Sequence, residues 1–167
     1  MIFKFLSKNF YISFSIVALI YFLDRLSKIY VIQLDKNNLG SDIFNSAYLN
    51  IVLIWNKGIA FGLLSFNESY FYNIISLIIL IIIILLIKMS VKSQGLKRYL
   101  LLMIVGGALG NFYDRIYYKA VPDFIDFHVG EIHWFIFNIA DIFITIGVIF
   151  MIFFELIGDN NKYDEKT

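Results

Sequence analysis

Phe71-Tyr72-Asn73-Ile74-Ile75-Ser76-Leu77-Ile78-Ile79-Leu80-Ile81-Ile82-Ile83-Ile84-Leu85-Leu86-Ile87 carries no charge and is almost wholly aliphatic. A helix that crosses the ~30 Å hydrocarbon core of a bilayer needs about 20 predominantly apolar residues. This stretch meets that need, and three others approach it. Phe10 to Leu23 is uncharged and runs through Asp24-Arg25-Leu26-Ser27-Lys28 into Ile29-Tyr30-Val31-Ile32. Tyr99 to Leu109 leads into Asn111-Phe112-Tyr113-Asp114-Arg115-Ile116, and Ile136 to Ile157 is interrupted by Asn138, Asp141 and Glu155. The pattern predicts an all-α membrane protein. Its four transmembrane helices would cover about residues 10–33, 70–89, 97–117 and 136–157, within one integral membrane unit spanning the chain.

The composition agrees. The 167 residues are 60% hydrophobic and 16% charged, with mean hydropathy +0.77. A soluble domain is nearer half apolar and a quarter charged. Fourteen basic against thirteen acidic residues leave a net charge of +1, which gives no field for nucleic acid. Cysteine is absent, so disulfides, thiolate metal sites and cysteine nucleophiles are excluded.

Lys and Arg in the short loops set the expected orientation. Lys4 and Lys8 precede the first span, Lys88, Lys92, Lys97 and Arg98 fall between the second and third, and Lys162 and Lys166 follow the fourth. Both termini are therefore expected in the cytoplasm. The opening segment has the basic start and apolar run of a signal peptide, but Asp24-Arg25 stands where small residues would mark cleavage, so it is expected to be retained.

Residues of about 35–69 are expected to form an extracytoplasmic platform. Ala47 to Trp55 is rich in β-branched and aromatic residues, which favours a strand. Gly58, Ala60 and Gly62 then alternate with larger residues, as they would where a second backbone approaches closely. A loop packed on the membrane surface explains the same spacing. Trp55 and Trp134 read as interfacial anchors.

Acids stand out in such a chain, because a carboxylate at mid-bilayer costs roughly 2.5–3.5 kcal/mol on insertion scales. Asp24, Asp114, Asp123 and Asp141 all lie on or beside the outward ends of the predicted spans. Asn111-x-x-Asp114 and Asn138-x-x-Asp141 each place an amide and a carboxylate on one helical face. Arg115 is positioned to pair with a nearby acid. Pro122 disfavours helix at Val121, which puts Asp123 on a return segment, and Asp126 reads as structural or solvent-facing.

Two converging carboxylates can divide the work of base and acid on water and a carbonyl. The same acids could instead clamp Arg25, Lys28 and Arg115 between helices, or serve a small membrane carrier or channel subunit. There is no His-Glu-x-x-His motif, and His128 and His133 are expected in a short loop, so neither metal nor cofactor is anticipated. Gly106-Gly107-Ala108-Leu109-Gly110 follows an apolar helix and reads as close helix packing.

Five blocks in order carry a resemblance: Asp24-Arg25-Leu26-Ser27-Lys28, Asn56-Lys57-Gly58-Ile59-Ala60-Phe61-Gly62, Gly106 to Arg115, Val121-Pro122-Asp123-Phe124 and Phe137-Asn138-Ile139-Ala140-Asp141. Together they resemble the signature blocks of bacterial lipoprotein signal peptidase, the type II enzyme. The resemblance implies an aspartic endopeptidase of the bacterial inner membrane, with its site near the outer leaflet. Its substrates would be diacylglyceryl-modified prolipoproteins, cut just before the lipidated cysteine among membrane lipids, without a cofactor. Asp123 and Asp141 match the two catalytic aspartates. Asp24, Lys28, Asn56, Gly58, Gly62, Asn111, Asp114, Arg115 and Asn138 match positions around them. A short outer helix beside the platform is also implied. Arg25 stands where the family commonly has Gln, and Pro122 directly precedes a catalytic position.

Overall fold

The computed structural model describes residues 8–37, 43–58 and 69–164. Four long helices dominate: α1 (Lys8–Asn37), α2 (Ser69–Lys92), α3 (Gly95–Tyr118) and α4 (Ile139–Asp164). Three strands, β1 (Leu49–Asn56), β2 (Val121–Val129) and β3 (Ile132–Phe137), form an antiparallel sheet in the order β1-β2-β3.

Charged and amide side chains are buried beside an apolar core, while many large apolar side chains face outward. Asp24, Lys28, Asp114 and Asn138 are completely buried, whereas Phe14, Phe22, Leu77, Leu85, Ile152 and Leu156 are exposed. In water this arrangement would leave large apolar areas unsatisfied; in lipid it is the favourable one. By length and composition, Tyr72–Lys92 and Ile139–Leu156 are each able to cross a membrane, with mean hydropathies of 3.1 and 2.3. Helices α1 and α3 carry the buried charges that lower their averages.

Helix α3 is the centre of the bundle, and α1, α2 and α4 each pack against it. Its glycines make the close approaches possible. A Cβ at Gly106 would lie 2.9 Å from the Ile20 side chain of α1, and one at Gly107 would lie 2.5 Å from the Ala140 carbonyl oxygen of α4. One at Gly110 would collide with the Asp24 carboxylate. The small-residue run thus serves two neighbours at once, α1 through Gly106 and Gly110 and α4 through Gly107.

The sheet differs from the expected platform. β1 lies in the segment anticipated, but its partners come from the connection between α3 and α4. Asn50 pairs with Asp126 and Ile54 with Asp123, and β2 then turns through Gly130, at φ 59°, to place His133 opposite His128. The fourth helix therefore starts at Ile139 rather than Ile136, because Ile136 and Phe137 belong to β3. Residues 35–37 belong to α1 rather than to the platform. Gly62 and Ala60 lie outside the described residues, and the implied short outer helix is not among the described elements.

Candidate active site

The start of α4 organises the site. Asn138 caps the helix: its Oδ1 accepts from the Asp141 backbone N–H at 3.1 Å, while Asp141 Oδ2 accepts from the Asn138 N–H at 3.2 Å. This reciprocal pair has the form of a capping box, with Asn and Asp in place of Ser or Thr and Glu. The Asn138 amide also donates from Nδ2 to Asp123 Oδ1 at 2.6 Å. One residue therefore caps α4 and bonds both carboxylates, Asp123 through its side chain and Asp141 through its backbone N–H. Two further amides complete their coordination: Asn56 Nδ2 donates to Asp123 Oδ2 and Asn111 Nδ2 to Asp141 Oδ1, each at 2.8 Å.

Asp123 is held by the sheet and Asp141 by the helix, so their separation depends on how β2 sits on the bundle. Asp123 is 3% exposed and Asp141 9%. Burial and the neighbouring Asp141 charge push the Asp123 carboxyl up to about 6, against the opposing effect of its two amide donors.

Behind the pair lies a charged cluster. The Lys28 ammonium donates to Asp24 Oδ2 at 2.8 Å, Asn111 Oδ1 at 2.8 Å and Asp114 Oδ2 at 2.7 Å. These use all three of its protons. Asp114 also pairs with Arg25 at 2.6 Å, and the Arg25 guanidinium lies 4.8 Å from the Tyr113 ring centroid. Asp24 Oδ1 accepts from the Ala140 N–H at 3.0 Å, a second anion bonded to the first turn of α4. Asn111 joins the two groups, accepting from Lys28 and donating to Asp141.

Arg115 does not pair with its neighbour Asp114. Its guanidinium donates to the Asn111 carbonyl at 3.2 Å and the Gly58 carbonyl at 3.1 Å, which ties the end of β1 to α3. Gly58 in turn donates its N–H to Asn56 Oδ1 at 2.8 Å. Asp126 is buried rather than solvent-facing, and lies apart from the pair. It accepts from Asn50 Nδ2 at 3.2 Å and faces His133 Nδ1 at 2.9 Å.

Asp24, Lys28, Asn56, Gly58, Asn111, Asp114, Arg115, Asp123, Asn138 and Asp141 thus belong to one connected polar network; Gly62 lies outside the described residues. Arg25 is the member that residue reading placed only among candidate clamps. Its signal was position, three residues before Lys28 on a helix that has to bury its charges.

Asn56, Asn111, Arg115, Asp123 and Asp141 line the polar end of a cavity of about 240 Å³. Its apolar walls come from Ile79 and Ile83 of α2, Ile104 of α3 and Ile144 of α4. A second hollow of about 410 Å³ touches Asp141 from the β3 side, against Trp134, Phe137 and Ile142. A buried, amide-held pair of carboxylates at the head of an apolar groove is an arrangement suited to acid–base chemistry on a membrane-embedded chain.

The comparisons place it within a family. The profile of the family described as signal peptidase (SPase) II matches residues 16–157. A lipoprotein signal peptidase of Pelagibacter ubique (strain HTCC1062) is 50% identical over 160 residues, covering 96% of each chain. One from Anaplasma phagocytophilum (strain HZ) is 40% identical over 136 residues, covering 80% of this chain and 85% of the relative. Among solved structures, a bacterial membrane enzyme determined in meso at 2.3 Å superposes with TM-score 0.73 at 32% identity, covering 90% of both chains. The chain belongs to the signal peptidase II family, a family of peptidases.

Proposed function

We propose that the chain removes signal peptides from diacylglyceryl-modified prolipoproteins, hydrolysing the bond before the lipidated cysteine with water held between Asp123 and Asp141. The observation that carries this reading is Asn138, which bonds both carboxylates at the head of an apolar groove. Family membership supplies the substrate class and sets aside the carrier or channel alternative.

Asp141 acts as base. It lies in the first turn of α4, where the aligned peptide dipoles favour negative charge, and it accepts two N–H bonds. Asp123 acts as acid, since burial and the Asp141 charge both favour its protonated form. Charge counting asks for one proton on the pair. Arg25, Lys28 and Arg115 bring three positive charges to the buried network, while Asp24, Asp114, Asp123 and Asp141 bring four negative. One proton on the pair makes the whole neutral, as a low-dielectric interior requires.

Asp141 takes a proton from water as its oxygen attacks the scissile carbonyl, and Asp123 gives a proton to the carbonyl oxygen. Collapse of the tetrahedral intermediate returns a proton to the departing amine. The products are a signal peptide with a new carboxylate and a lipoprotein with a free α-amino group on its cysteine. The groove along α2, α3 and α4 would take the apolar signal segment. The hollow beside Trp134 would take acyl chain, so that lipid forms part of recognition.

All four helices would cross the bacterial cytoplasmic membrane, with both termini in the cytoplasm and the sheet at the outer leaflet. The lysine distribution supports this orientation. Purified enzyme is tested on a diacylglyceryl-modified precursor and its unmodified twin. Cleavage of the first alone, lost in both Asp123→Asn and Asp141→Asn, is expected. Full activity in either variant would overturn the pair.

A further inference from the structure

The β2–β3 hairpin carries a second cluster that the reaction does not use. Asp126 and His128 are two residues apart on β2, and a register shift between them brings His133 of β3 opposite His128. The potential ligand atoms of the three residues lie within 4.8 Å of one another. Asp126 is 3% exposed and His128 8%. His128 Nδ1 is buried and has no hydrogen-bond partner. A buried ring nitrogen without a partner loses its hydration for nothing, unless something arrives to use it.

We propose that Asp126, His128 and His133 bind a divalent transition metal of the zinc class. Two imidazoles and one carboxylate match the nitrogen and oxygen preference of Zn2+ and disfavour Mg2+ or Ca2+, which prefer oxygen ligands throughout. Ligand bonds of about 2.0–2.1 Å place atoms around one ion roughly 3–3.5 Å apart, so the widest separation, up to 4.8 Å, has to contract by about 1.5 Å. His133 makes that movement. Its side chain is 52% exposed and stands in a hairpin, free to turn. The turn breaks the stack of His133 on His128, whose rings lie 4.9 Å apart at 21°, and replaces the His133–Asp126 hydrogen bond with bonds to the ion. Asn50 remains as a donor to the Asp126 carboxylate and holds it in place.

The ion would staple β2 to β3. Asp123 lies three residues before Asp126, and β3 ends directly before Asn138, so the staple spans the segment between the two reacting carboxylates. Its role is in positioning that segment rather than in touching substrate.

The test uses full-length enzyme in detergent, stripped by chelator and titrated with Zn2+ by calorimetry, with bound metal measured after gel filtration. One Zn2+ per chain is expected, with a rise in Tm. His133→Ala, at a half-exposed position, and Asp126→Asn should each weaken binding by about tenfold or more and abolish the Tm rise. Cobalt in place of zinc should give the visible absorption of a low-coordinate site in the wild type and lose it in His133→Ala. Asp141→Asn, which silences cleavage, should bind zinc like the wild type, so failure of the proposed reaction and failure of this site are separable. Binding without fixed stoichiometry, or unchanged in both hairpin variants, would overturn the site.

Discussion

Asn138 performs three tasks at one position, and substitutions can separate them. Asn138→Ala removes the cap of α4 and the donor to Asp123 together, so about 1 kcal/mol of stability and nearly all activity should be lost. Asn138→Ser keeps a capping oxygen for the Asp141 N–H but is too short to reach Asp123. It should melt close to the wild type in detergent and still fail to cleave. If the serine variant cleaves normally, the amide bond to Asp123 is dispensable. Asp123 gives a second prediction at this scale. Its folded carboxyl is raised to about 6 from an ordinary value near 3.8, so the folded state holds its proton more tightly than the unfolded state. Stability from this source is complete below about pH 4 and lost as pH rises through 6. Between pH 7.5 and 4.5 the wild type should therefore gain Tm relative to Asp123→Asn, which has no such proton to bind. Parallel Tm curves for the two proteins would contradict the raised value. The same proton makes kcat/KM decline on the alkaline side as Asp123 ionises.

At the scale of elements, the close packing of α3 on α4 fixes where Asp141 stands. A Cβ at position 107 meets backbone, the Ala140 carbonyl oxygen at 2.5 Å, and cannot be accommodated by a side-chain rotation. Gly107→Ala should push the two helices apart, destabilise the protein by about 1–3 kcal/mol, and reduce cleavage because Asp141 directly follows Ala140 in the same first turn. A thermal melt and a cleavage assay check it; a variant as stable and active as the wild type would show that α4 shifts freely. The helices themselves were legible in the sequence, since long aliphatic runs leave little choice in a bilayer. The sheet was legible only in part. β1 announces itself by β-branched and aromatic residues, but Ile132–Phe137 merges with the apolar run of α4, and periodicity cannot divide a run that is hydrophobic throughout. The dividing mark was Asn138, a capping residue three before Asp141. Read as a helical face, the Asn138-x-x-Asp141 spacing singled out two residues that the structure joins as a helix cap instead. Likewise Asp126 and His128 looked peripheral because nothing in the sequence sets β2 against β1.

For the whole molecule, the question is why a protein immersed in hydrocarbon gathers seven ionised or ionisable side chains into one buried network. Arg25, Lys28, Asp24 and Asp114 balance one another, and each is held by partners on α1, α3 or the first turn of α4. The cluster is thus a joint between three helices whose strength depends on neutrality. Lys28→Met should remove one positive charge and leave two carboxylates facing a single guanidinium, a loss of about 3–5 kcal/mol. Adding Asp114→Asn to that variant restores the balance of one cation to one anion, and a substantial part of the lost Tm should return. Activity should not return with it. Asn111 would still lack the Lys28 donor that fixes its amide, and that amide is what aims Asp141 Oδ1. Melting and cleavage of the single and double variants would distinguish the two contributions. Recovery of both would mean that the cluster serves only to hold the helices together; recovery of stability alone would show that the same charges also aim the Asp141 carboxylate.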